Sequence, residues 1–205
     1  MIAIIDYNAG NIKSVEKAMN RLGEACVVTR DFHEILTADH VILPGVGAFG
    51  DAMEQLRKYE LDKVIHEVMA ENKPFLGICL GLQLLFDGSE ESSGVEGLHV
   101  LPGDILRIPD CEGLKIPHIG WNSLHLQHDG RLFAGVEEQA YVYFVHSYYL
   151  KAAEEQIVKA TTDYSTCIHA SVEQENVFAC QFHPEKSSSV GLQILQNFIN
   201  VPKGE

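Results

Sequence analysis

A single α/β domain is the fold this sequence predicts: a mostly parallel central sheet with helices on both faces, plus a smaller antiparallel β extension. Three observations carry the prediction. Strand-like and helix-like segments alternate through the first half, and such alternation builds a parallel sheet covered by helices. From about residue 99 to 182 the pattern changes to short β-rich segments separated by turn residues, which points to mixed or antiparallel pairing. The chain of 205 residues holds no internal repeat, low-complexity tract or Pro/Ser linker, so it has length for one large domain and little for a second. The domain is set at 1–201, with 202–205 as a short tail.

The elements follow in order. Residues 2–6 (IAIID) form a β-rich run, and 11–22 carry Ile12, Val15, Met19 and Leu22 at helical spacing until Gly23 stops the pattern. A second strand is read at 25–29 (ACVVT), a third at 41–43 (VIL), and a helical stretch at about 50–71. The run 75–79 (FLGIC) is a fourth strand that leads into another helical pattern. In the second half, 141–145 (YVYFV), 156–160 and 177–182 (VFACQF) read as strands. Helical periodicity returns at 189–199, where Val190, Ile194, Leu195 and Phe198 share a face.

Composition narrows the function classes. Lys and Arg total 15 against 29 Asp and Glu, for a net charge of −14. No segment is basic enough to release many counterions from a phosphate backbone, so no nucleic-acid partner is expected. The acidity is spread along the chain and reads first as a solvated surface, with a complementary partner as the sharper alternative. No uncharged apolar run approaches the length of a membrane span. The opening Met-Ile-Ala-Ile-Ile-Asp reads as a strand and not as a targeting leader, which makes the cytoplasm the expected compartment. Five scattered cysteines (Cys26, Cys79, Cys111, Cys167, Cys180) form no Cys-x-x-Cys pair, so reduced thiols are expected and zinc-ribbon or thioredoxin chemistry is not. His125 and His128, three apart without a nearby cysteine or acidic cluster in the sequence, do not make a metal site. No metal and no cofactor are expected.

Three motifs carry chemistry. Gly77-Ile78-Cys79-Leu80-Gly81 lies between a buried strand and a helical pattern, and a G-x-nucleophile-x-G turn lets a side chain project from a sharp strand-to-helix bend. A cysteine at a helix N-terminus is biased toward thiolate; the plain alternative is a small core cysteine packed by glycines. His183-Pro184-Glu185 follows VFACQF, and residues i and i+2 of an extended segment share a side. Pro184 biases His183 toward extended geometry, so the pair suits a base and the carboxylate that orients it. Pro44-Gly45-Val46-Gly47-Ala48-Phe49-Gly50 matches G-x-G-x-x-G. It follows the third strand instead of the first, the acids about 20 residues on (Glu67, Glu71) sit in a helical pattern, and Asp51 would oppose a pyrophosphate. Its backbone N–H groups suit an oxyanion hole, where each donor is worth about 3 kcal/mol to a tetrahedral transition state.

With these residues in place, the chain resembles the class I, triad-type glutamine amidotransferases. The features are the G-I-C-L-G elbow, Gln83 four residues after Cys79, and the distal H-P-E. The P-G-V-G-A-F-G loop is similar to that of the glutaminase subunits of imidazole glycerol phosphate synthases of histidine biosynthesis. So are Asp6-Tyr7-Asn8-Ala9-Gly10-Asn11, Pro117-His118-Ile119-Gly120-Trp121-Asn122, Phe144-Val145-His146-Ser147-Tyr148 and Glu185-Lys186-Ser187-Ser188. These segments span residues 6 to about 191, nearly the whole chain.

The resemblance implies a flavodoxin-like architecture, glutaminase activity without a cofactor, and a separate (β/α)₈-barrel cyclase subunit that takes up the ammonia in a heterodimer. It implies Cys79 as nucleophile, His183 as base and acid, and Glu185 as the group that holds the imidazole. It places the oxyanion donors at Leu80 and the Val46–Gly47 peptide. Gly47, Gln83, Glu91, Ser147 and Tyr148 would bind glutamine. Glu91 also reads as solvated surface, and Ser147 and Tyr148 as ordinary strand residues. Trp121 and Lys186 are the interface or gate candidates. The rivals are a cysteine hydrolase or peptidase on a similar fold, which needs neither Gln83 nor the P-G-V-G loop, and a non-catalytic binding protein, which the intact triad disfavours.

Overall fold

The computed structural model describes residues 1–127 and 129–204. His128 and Glu205 lie outside the described residues, and with them the expectation about the His125–His128 pair and the last residue of the tail. The strands are β1 (Ile2–Ile5), β2 (Cys26–Thr29), β3 (His40–Gly45), β4 (Phe75–Cys79), β5 (Gly88–Ser89), β6 (Gly103–Arg107), β7 (His118–Ser123), β8 (His125–Leu126), β9 (Tyr141–His146), β10 (Tyr148–Ala152), β11 (Val158–Tyr164), β12 (Thr166–Gln174) and β13 (Val177–Cys180). The helices are α1 (Ile12–Arg21), α2 (Phe32–Thr37), α3 (Phe49–Lys58), α4 (Leu61–Ala70), α5 (Leu80–Gln83) and α6 (Ser188–Ile199).

Eight strands form the central sheet in the order β2-β1-β3-β4-β13-β12-β11-β8. The first five are parallel and the last three antiparallel, so the expected extension is in part continuous with the main sheet. A three-stranded sheet (β10-β6-β5) and an antiparallel pair (β7-β9) complete it. Alternation along each strand divides the core. Ala3 and Ile5 with Val41 and Leu43 pack on the side of α2, α3 and α4. Ile2, Ile4, Ile42 and Leu76 pack against α1 and α6. Successive side chains of a strand point to opposite faces, and a parallel strand covered on both faces is apolar throughout, as the fully buried β1, β3 and β4 are.

The structure corrects three sequence expectations and adds a helix. The helical stretch read at 50–71 is two helices, broken at Tyr59–Glu60, where Glu60 takes a left-handed φ of 56°; both halves present apolar residues to one core, so periodicity continued through the break. The helical pattern after residue 79 is a single turn, α5, because the leucines beyond it are buried as irregular chain. The strand read at 156–160 begins as a 3-10 turn and becomes regular only at Val158. Helix α2 has no counterpart in the sequence pattern: six residues carry too little periodicity to register, although Asp31 caps it by accepting from the Glu34 N–H at 3.0 Å. His125, which has no acidic cluster near it in sequence, meets Glu138 at 3.6 Å and Asp163 at 3.5 Å in space.

The chain leaves β1 for β2 on one side and β3 on the other, so the crevice at the carboxyl ends of β1 and β3 is a topological switch point, the usual ligand site of an open α/β sheet. The Pro44–Gly47 loop, Cys79 and the segment after β13 all stand at that end.

Candidate active site

Cys79 ends β4 with φ 56° and ψ −109°, a strained backbone for a residue with a Cβ; such strain persists only where the surroundings hold it. The two flanking glycines make the turn possible. A Cβ on Gly77 would meet the Gly81 carbonyl oxygen at 2.7 Å, and one on Gly81 would run into the Leu43 carbonyl. The thiol is 6% exposed, within a cavity of about 280 Å³.

His183 and Glu185 stand behind it, both side chains wholly inaccessible. Nδ1 of His183 lies 2.8 Å from Glu185 Oε1, which leaves Nε2 for the thiol side. Among the described residues Nε2 has no hydrogen-bond partner, yet the ring feels the cysteine. Burial opposes a charge on His183, but the neighbouring Cys79 and the hydrogen-bonded Glu185 carboxylate outweigh it and hold the pKa up at about 9. Ser187 fixes the backbone of His183, donating to its carbonyl at 2.7 Å and accepting the Tyr143 N–H at 2.9 Å.

The cavity gathers Val46, Gly47, Cys79, Leu80, Gln83, Glu91, Ser147 and Tyr148, from four separate stretches of chain. Gly47 has a φ of +113°, which only glycine adopts without strain. Gln83 is buried and spends its amide hydrogens on the Tyr148 carbonyl at 3.1 Å and Gln181 Oε1 at 3.0 Å, so its carbonyl oxygen is the group it can offer a ligand. Glu91 is not loose surface. Its Oε2 accepts the Phe49 N–H at 2.8 Å, and Ser92 Oγ accepts the Gly50 N–H at 2.9 Å, so residues 91–92 cap α3. Trp121 and Lys186 lie outside the cavity lining. Trp121 is half exposed on β7, edge-on to Tyr143, and Lys186 is exposed directly after Glu185.

The structure adds residues that the sequence reading missed. Asn11 Nδ2 donates to Glu185 Oε1 at 2.6 Å and lies 3.3 Å from His183 Nδ1. It occupies the N-cap of α1 without capping it, although asparagine is among the best N-cap residues; its side chain binds the Glu185 carboxylate instead. A local cap explains an Asn before a helix well enough that nothing in sequence pointed further. Gln181, fully buried, donates to Cys79 Sγ at 3.7 Å. Its signal was legible: two residues before His183, it shares a side with the base. Tyr7 donates from its buried hydroxyl to the Pro44 carbonyl at 2.9 Å, beneath the glycine loop. Pro117, Val145 and His146 also line the cavity.

Comparisons with known proteins give the family and the fold. A family model described as glutamine amidotransferase class-I matches residues 3–201. The imidazole glycerol phosphate synthase subunit HisH of Moorella thermoacetica is 51% identical over 197 residues, covering 96% of this chain and 93% of the relative. The HisH of Methanocaldococcus jannaschii is 45% identical over 201 residues, covering 98% of this chain and all of the relative. A solved glutamine amidotransferase superposes with a TM-score of 0.75 at 18% identity, covering 97% of each chain. The glutaminase domain of Trypanosoma brucei CTPS does so with a TM-score of 0.65 at 18% identity, covering 97% of this chain and 93% of that one. Those two likenesses establish the fold.

Proposed function

The chain belongs to the class-I glutamine amidotransferase family, and from that premise we infer that it is the glutaminase subunit of an imidazole glycerol phosphate synthase in histidine biosynthesis. It hydrolyses glutamine to glutamate and ammonia and passes the ammonia to a cyclase partner, which makes imidazole glycerol phosphate and aminoimidazole carboxamide ribotide. The observation that carries this reading is a strained cysteine that opens onto a cavity and is backed by a histidine held at a raised pKa and a buried carboxylate, in a chain about half identical over nearly its whole length to HisH subunits.

The chemistry follows from the atoms. The Cys79 sulfur attacks the side-chain amide carbon, and the oxyanion that forms is met by the Leu80 N–H and by an N–H of the Val46–Gly47 peptide. His183, charged at neutral pH, gives its proton to the departing nitrogen and ammonia leaves. The neutral ring then takes a proton from water, whose oxygen attacks the thioester; glutamate and the free thiolate result. Glu185 keeps the imidazole oriented and stabilises its cation. The Gln83 oxygen and the free oxygen of Glu91 accept from the α-ammonium group, and the Ser147–Tyr148 backbone and Gly47 shape the rest of the amino-acid end.

The partner is a (β/α)₈-barrel cyclase chain, forming a heterodimer. Three large apolar side chains on the small β7–β9 sheet support an interface there: Ile119, Trp121 and Tyr141 are 60%, 50% and 59% exposed. Clustered exposed apolar surface marks a docking face, and this sheet also supplies Val145 and His146 to the cavity. Lys186 is a gate or interface residue at the same end. Residues 1–201 act as one domain, in the cytoplasm; among the described residues no helix is long and apolar enough to cross a membrane.

An electrophilic glutamine analogue tests the assignment. Mass mapping of the assembled synthase is expected to find the adduct on Cys79, with free glutamine protecting. Failure to modify Cys79 with the partner present overturns the reading.

A further inference from the structure

Two buried histidines outside the triad, His118 and His146, stand directly opposite each other on β7 and β9. Nδ1 of His118 lies 2.9 Å from Nε2 of His146, and Nδ1 of His146 lies 2.8 Å from the Tyr148 carbonyl oxygen. At the other end, Nε2 of His118 is 3.4 Å from the Asn122 amide nitrogen, which also donates to the Asp163 carbonyl at 3.1 Å. The His118 ring is stacked between Phe144 and Tyr164, with centroids 4.8 and 3.9 Å away.

The direction of every hydrogen bond in this chain is fixed by its last member. A carbonyl can only accept, so His146 carries its hydrogen on Nδ1. Burial pushes His146 down to about 3, against the Tyr148 hydrogen bond and with the help of the His118 and His183 charges; burial alone pushes His118 to about 4. Each ring therefore holds one proton at neutral pH. Nε2 of His146 is bare and accepts from His118 Nδ1–H, and Nε2 of His118 accepts from Asn122. The chain runs one way, from an amide on β7 to the carbonyl of Tyr148.

That carbonyl is also where Gln83 is anchored, at 3.1 Å, and Gln83, Ser147 and Tyr148 together line the cavity. Core packing alone would be met by apolar side chains, whereas a buried polar chain must be satisfied at every member. This one is satisfied, and it ends on the pocket.

We propose that His146 is a positioning residue for glutamine binding: locked by His118 in the Nδ1–H tautomer, it fixes the Tyr148 carbonyl and, through it, the Ser147–Tyr148 backbone and Gln83. The proposal rests on the reading that the cavity takes glutamine.

Two measurements test it. In ¹⁵N NMR of the full chain at neutral pH, both rings show a protonated Nδ1 and a bare Nε2; an Nε2–H tautomer or a doubly protonated ring for His146 overturns the proposal. In steady-state assays of the assembled synthase, His146→Ala raises KM for glutamine about tenfold, equivalent to about 1.4 kcal/mol, while kcat falls by less than about threefold. His146→Asn places an amide N–H where Nδ1 stands and recovers most of the loss. An unchanged KM in His146→Ala, a loss confined to kcat, or an Asn variant no better than Ala sinks the idea. Should His146→Ala not fold, the NMR result on the unaltered chain still decides. A wild-type synthase that does not turn over glutamine would instead remove the glutaminase reading itself, and the positioning role with it.

Discussion

Cys79 and Cys180 lie at the carboxyl ends of adjacent parallel strands, with Cys180 paired in register to Ile78, the residue before Cys79. Both are buried and both are free thiols, yet their surroundings differ, and only Cys79 carries the role proposed above. Cys180 ends its strand without a positive φ, is fully inaccessible, and burial pushes its thiol well above the usual range, with the Glu185 and Cys79 charges adding to the effect. Its sulfur hydrogen-bonds the Phe182 carbonyl at 3.5 Å. Cys79 leaves the strand through a positive φ, opens onto a cavity, and faces a histidine held charged. The difference teaches that one backbone turn and one neighbouring imidazole set the proposed nucleophile apart, and not burial or the sulfur's depth in the sheet.

Breaking the comparison at its strongest point has the largest effect. Cys79→Ala lowers glutamine-dependent synthesis by about 10⁴-fold or more, as expected for a member of a catalytic unit, while synthesis from added ammonia persists. Assays of the assembled synthase with each nitrogen source check both halves.

Glu185→Gln comes next, lowering kcat/KM for glutamine about a thousandfold, because the amide no longer stabilises the imidazolium or fixes its tautomer. The pH profile supplies the sign. His183 must be protonated when ammonia leaves, so kcat/KM falls as pH rises through about 9. Without the Glu185 charge the imidazolium loses support, and the alkaline limb moves down toward the ordinary histidine range near 6.5. The same raised pKa contributes stability that is fully present below the unfolded value and is lost as pH rises through the folded one. A limb that stays in place in the variant contradicts the assignment of Glu185.

The smallest effect sharpens the contrast. Cys180→Ala leaves kcat/KM within about twofold, and the small cavity left in the sheet lowers Tm by about 2–4 °C. Calorimetry and kinetics on one sample read both; a loss of activity without a loss of Tm would mean that Cys180 takes part.

Much of this arrangement was legible from residue order. The elbow, the H-P-E segment and the glycine loop each act through local backbone geometry, and a glycine two residues before and after a cysteine announces a tight turn without reference to the rest of the chain. Strand-helix alternation identified β1 to β4 and the parallel sheet by the same local logic, since periodicity depends only on neighbours. The break at Glu60 escaped because helical period alone does not count helices when two of them feed one core. Family resemblance, resting on motif order along residues 6 to 191, supplied Gln83, Glu91, Ser147 and Tyr148, which periodicity would have left as ordinary helix, surface and strand.

The sequence by itself determined which backbone would bend, where the parallel strands β1 to β4 and β13 run, and which cysteine sits at a strained turn, because those properties are set within a few residues. Only the tertiary structure decided what those groups touch. Laying β13 beside β4 brings His183 and Gln181 to Cys79 across about a hundred residues of chain, and the end of β1 delivers Asn11 to Glu185 across 174. Pairing β7 with β9 joins His118 to His146 and carries a hydrogen-bonded chain to the pocket. Such contacts depend on strand order and register, which are won by packing the whole sheet between its two layers of helices, and no local pattern encodes them.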